Sequence, residues 1–158
     1  MYKKSLFILF LFCTIAVGCA TGPSLQERRL FASQSIEALQ RADFENAKLE
    51  ADKVLTEDPG NPFSALVRAV TLYKATLHNL FLDVQSAAAT AIIGRGINMR
   101  YFTFALESAD QAFASIDRDL AVAAAEPMVD LELCLACWEY DWNQDGRVDK
   151  RDRVLLQI

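Results

Sequence analysis

The chain has 158 residues, 53% of them hydrophobic, which allows one domain with a sizeable core and makes two improbable. Its formal charge is −5, from 16 basic and 21 acidic residues, with no Lys/Arg cluster beyond the extreme N-terminus, and so nucleic acid is excluded as a natural partner. The first element in chain order is "MYKKSLFILFLFCTIAVGCA": Lys3 and Lys4, an apolar run from Leu6 to Val17, then small residues at Gly18 and Ala20. These are the parts of a secretory signal in order, and the run is shorter than the roughly 20 residues that span a bilayer as a helix.

The run closes on "AVGC", which resembles the bacterial lipobox, with Ala16 where that family prefers leucine. The resemblance implies cleavage after Gly18, removal of residues 1–18 and a lipid on Cys19. Ala20 follows the cysteine, and in the sorting rule of this family the absence of Asp there implies the outer membrane, facing the periplasm. The mature chain then carries 14 basic and 21 acidic side chains, a net of −7. Cys13 leaves with the signal, so Cys134 and Cys137 are the thiols left in an oxidising compartment. Residues 19–24 form a short small-residue linker, which keeps the folded part close to the membrane surface.

Helical signals occupy residues 25–126. Phe31, Ile36 and Leu39 recur at helical spacing up to about Arg41, "ADF" makes a tight connection, and Ala47, Leu49, Ala51, Val54 and Leu55 continue on a second helix that stops at "EDPGNP". Asn61 before Pro62 reads as an N-cap with proline at the first helical position. This hairpin resembles a tetratricopeptide repeat: Phe31 takes the large aromatic position, Ser35 a small one and Ala38 a site often held by tyrosine, while Ala47, Ala51, Val54 and Pro59 take the small, apolar and closing-proline positions. Ala65, Ala69 and Leu72 begin a second unit that then drifts. From Pro62 to Ile93 no breaker occurs, so one long helix is expected, ending at the turn "GRG"; another runs from Asn98 to Glu126 before Pro127. No run alternates as a strand would. The expected fold class is all-α, a tetratricopeptide-like helical bundle with a C-terminal EF-hand-like loop, the alternative being a plain antiparallel bundle whose agreement with the repeat is fortuitous. Phe81, Phe102, Phe104, Phe113 and the lone histidine, His78, read as packing residues.

Residues 127–158 read as a helix-loop-helix. In "DWNQDGRVDKRD", Asp141, Asn143, Asp145, Asp149 and Asp152 fall at loop positions one, three, five, nine and twelve, Gly146 supplies the sharp turn at six and Arg147 offers a backbone carbonyl at seven. Oxygens in this register fold onto one hard cation, and without it their carboxylates would repel one another. The loop resembles an EF-hand and, with the Asn at three and the following "LL", a dockerin calcium loop; dockerins carry two such loops, so cohesin binding is not implied. The expected cofactor is Ca²⁺. After Asp152 come "RVLLQI", whose apolar residues must close onto the bundle or belong to a longer chain.

Cys134 and Cys137 form a CxxC, read first as a structural disulfide or buried thiol pair. No catalytic constellation emerges. The expected function is a calcium-binding, periplasm-facing lipoprotein that meets the membrane through its lipid and serves as a binding or assembly module for a protein partner. The alternative is a thiol-disulfide oxidoreductase using the CxxC pair, and free-thiol titration with a reduction potential separates the two.

Overall fold

A computed structural model describes residues 22–92, 96, 99–131 and 133. Among the described residues the chain is all-α: α1 (Leu25–Phe31), α2 (Ser33–Gln40), α3 (Phe44–Glu57), α4 (Pro62–Ile92) and α5 (Met99–Ala124). No helix among them is long and apolar enough to cross a membrane.

Local cap chemistry sets the starts of α1, α3 and α4. Ser24 opens α1 with a capping box: its backbone N–H donates to Glu27 Oε2 at 2.7 Å while Glu27 N–H donates back to Ser24 Oγ at 3.3 Å. The Ser24 bonds hold the Glu27 carboxyl below its ordinary range. The single first helix expected from the sequence is two, meeting at Ala32. Nothing in the composition marks this break, because alanine is a strong helix former. The Ala32 carbonyl accepts both the Ile36 N–H at 3.0 Å and the Ser35 hydroxyl at 2.8 Å.

The connection α2–α3 is a Schellman turn. Asp43 N–H donates to Ala38 O at 2.9 Å and Ala42 N–H to Leu39 O at 3.0 Å, which puts Ala42 at φ +60° in the left-handed region. That conformation is costly for a residue with a Cβ, so Ala42→Gly is expected to stabilise the fold by about 0.5 to 1 kcal/mol, read as a higher urea midpoint at unchanged m-value. Asp43 then caps α3 by accepting from Asn46 N–H at 3.3 Å.

Asn61 does what its position before Pro62 predicts. Its Oδ1 accepts the Ser64 N–H at 3.1 Å, and its Nδ2 reaches back to the Arg28 carbonyl at 3.0 Å. Arg28 Nη1 donates to Gly60 O at 3.1 Å, and its Nε lies 3.2 Å from Asp58 Oδ2. The buried Asn61 thus starts α4 and locks α1 against the turn that precedes it.

The core lies where α2, α3 and the first turns of α4 meet: Ala38, Leu39, Ala47, Ala51 and Val67, flanked by Ile36, Phe44 and Val70. Alanine recurs because the helix backbones come close, and larger side chains would hold them apart. Helix α4, of 31 residues, runs about 46 Å and α3, of 14, about 21 Å. The far part of α4 therefore outruns the hairpin, while α5 runs antiparallel along α4 from Arg68 to Asp83, burying Ala105, Ala109, Ile116, Asp119 and Ala123. Tyr73 and Phe113 meet across this pair at 6.3 Å between ring centroids, and the Tyr101 hydroxyl donates to Asp83 Oδ1 at 2.6 Å.

Two packing expectations are corrected. Phe104 is 69% exposed, because it stands about 100° around α5 from Ala105; Phe81, Phe102 and Phe113 are half-buried. Phe31 is 58% exposed instead of filling the interior of the hairpin, while the small positions around it, Ser35, Ala38, Ala47 and Ala51, are all buried. His78 is buried, as expected of a packing residue.

Candidate functional site

The candidate metal ligands Asp141, Asn143, Asp145, Arg147, Asp149 and Asp152, the pair Cys134 and Cys137, and the lipidation residue Cys19 lie outside the described residues. What the structure gives is the scaffold on either side of them. At the C-terminal side, the chain turns after α5 and comes back to the helical hairpin. Leu131 and Leu133 pack against the Ala38–Leu39–Ala47–Ala51–Val67 core, and Asp130 Oδ1 lies 3.2 Å from Arg29 Nη1 on α1. Leu133 is eight residues before Asp141. The chain that enters the loop has thus already been returned to the N-terminal hairpin, a placement that no local motif in residues 127–133 announces.

The strongest polar feature among the described residues is an ionic junction of three helices. Arg68, in the otherwise apolar "SALVRAVTLY" of α4, donates from Nε to Asp119 Oδ2 at 2.8 Å and from Nη2 to Asp119 Oδ1, a two-pronged pairing with α5. Its Nη1 donates to Asp52 Oδ1 on α3 at 3.3 Å, and Asp52 Oδ2 takes Lys48 Nζ at 2.7 Å. The bonds from Asp119 outweigh desolvation and hold the guanidinium further above its usual pKa. With both carboxylate oxygens of Asp119 accepting from Arg68, this cluster ties α3, α4 and α5 together. Arg68 and Asp119 are 51 residues apart, and a polar residue on each of two apolar helix faces was the one signal that could have paired them.

A second group was missed. Pro23, Phe31, Val54, Glu57 and Asp58 line an open groove of about 410 Å³ between α1 and the end of α3. Lys74, half-buried above the Phe44 ring at 4.3 Å, has its ammonium pushed down to about 8 by burial, with Glu45 opposing the shift. Among the described residues no three His, Cys, Asp or Glu side chains are grouped to hold a metal ion. Comparison with protein-family models, curated proteins and solved structures found no match for this chain.

Proposed function

We propose that the chain is a calcium-binding lipoprotein, anchored in the outer membrane through Cys19 and facing the periplasm, which acts as a protein-binding or assembly module built on a tetratricopeptide-like hairpin. The observation that carries the metal assignment is the register of Asp141, Asn143, Asp145, Arg147, Asp149 and Asp152 around Gly146. An acidic solvated turn accounts for the composition of this stretch and leaves its spacing unexplained. The burial of Ser35, Ala38, Ala47 and Ala51 agrees with the repeat's logic of small residues at the helix contact. The docking of Leu131 and Leu133 on the same core favours a structural role for the ion, since it ties the chain to the bundle eight residues before Asp141.

Equilibrium dialysis of the chain from Ala20 tests the metal, with one Ca²⁺ per chain expected for wild type and none for Asp152→Ala at the same concentration. The anchor has its own test. Labelled fatty acid should appear on the wild type and vanish in Cys19→Ala; a wild type recovered soluble and without lipid contradicts the membrane assignment.

A further inference from the structure

We infer that the edge of α1 formed by Leu30 and Phe31 lies on the lipid surface that holds the anchor, an inference that rests on lipidation of Cys19. The two side chains are large and apolar, 70% and 58% exposed, at the end of a seven-residue helix, and stand about 100° apart around it, Phe31 beside Pro23 and Val54 and Leu30 beside Glu27 and Arg29. What covers them is argued from the length of chain that separates them from the anchor. Pro23 is four residues after Cys19, so their Cα atoms are at most about 14 Å apart. Pro23 lines the same groove as Phe31 and Val54, which brings that groove within a short tether of the headgroups. A bilayer interface is then an apolar phase already beside these residues, and Phe and Leu are side chains that interfacial helices bury there.

The charges around the edge say what kind of contact this is. Arg28 and Arg29 stand among Glu27, Glu57 and Asp58, and Arg28 is paired with Asp58. Among the described residues around this edge there is no basic patch to seek anionic lipid, so the contact depends on apolar burial and should be indifferent to salt. Helix α1 is also held firmly on the bundle by Asn61 Nδ2 to the Arg28 carbonyl and by Arg28 Nη1 to Gly60 O. Seating α1 on the membrane therefore orients the whole bundle and fixes where the α4–α5 pair points.

The test uses the full lipidated protein, reconstituted in phosphatidylcholine vesicles whose acyl chains are brominated, with Phe31→Trp compared with Phe104→Trp and with wild type. Wild type carries Trp138 and Trp142 and supplies the background to subtract. The added Trp at 31 should emit at shorter wavelength on vesicles and lose most of its intensity to the bromines, at low and at high salt. The added Trp at 104, on a somewhat more exposed site of α5, should keep its intensity. Protein that carries its acyl chains by mass and floats with the vesicles, yet shows no quenching at position 31, overturns the inference and leaves lipidation standing. Equal quenching at 31 and 104 also overturns it, as does quenching at 31 that high salt abolishes. Protein without acyl chains overturns both the inference and the lipid anchor beneath it.

Discussion

Arg68→Met is expected to destabilise the domain by about 2 to 4 kcal/mol, measured as a drop in the urea midpoint. Asp119 is nearly buried and both of its oxygens accept from Arg68, so removing the guanidinium leaves a carboxylate that is desolvated and unmatched. Breaking one partner out of a buried pair typically costs about 3 to 5 kcal/mol, and the partial exposure of Arg68 lowers the figure here. Asp119→Ala should cost less, because Arg68 keeps Asp52 and access to water. The double variant Arg68→Met with Asp119→Leu should recover much of the loss, since it removes the charge instead of stranding it. Equal effects from the two single variants would mean that the pair is solvated and contributes little.

Ala51→Leu is expected to cost about 1 to 3 kcal/mol by overpacking. Ala51 is fully buried on α3, in one cluster with Ala38 and Leu39 of α2 and Val67 of α4. Three added carbons must push α2 or α4 outward, and there is no flexible long side chain in that cluster to yield. Leu49→Ala, on the exposed side of the same helix, is the control and should move the thermal midpoint little. A midpoint unchanged by Ala51→Leu would mean that the three helices are not in close contact there.

These two positions also mark what could be read in the sequence. Ala47 and Ala51 were legible because small residues at helical spacing opposite an apolar helix have one economical explanation, a close backbone approach. Asn61-Pro62 was legible because cap and first-turn chemistry are local, and the unbroken run after Pro62 forecast the long α4. The break at Ala32 was not, because alanine is a strong helix former and nothing in the residues around it marks an interruption. Nor was the exposure of Phe31 and Phe104, since periodicity places an aromatic residue on a helix without saying whether another element covers it. Arg68 with Asp119, and Leu131 and Leu133 with the hairpin core, join residues far apart in the chain, and only the folded path brings them together. The proposed calcium loop is the reverse case: the register that suggests it is legible in the sequence, and it lies beyond the described residues.

Calcium is therefore the central claim, and a thermal melt with and without the ion tests it most directly. A folded state that binds Ca²⁺ when the unfolded chain does not is stabilised by linkage. Sites of the extracellular type bind at about 10⁻⁴ to 10⁻³ M, and the shorter Asp152 at the twelfth position gives no reason to expect tighter. At about 1 mM Ca²⁺ and a dissociation constant of about 0.1 mM the gain is roughly 1.4 kcal/mol. For a domain of this size that raises the midpoint by about 3 to 6 °C. Mg²⁺ should do less, because it demands tighter octahedral geometry and gives up its waters reluctantly. Asp141→Ala and Asp152→Ala should each remove the response while costing little in chelator, where they relieve repulsion among carboxylates. The measurement is the melt of the chain from Ala20 in chelator-treated buffer, with Ca²⁺ added back to about 1 mM. The account predicts a midpoint that rises in wild type and stays fixed in both variants; a wild-type midpoint that ignores millimolar Ca²⁺ would contradict it and reduce Asp141–Asp152 to an acidic turn.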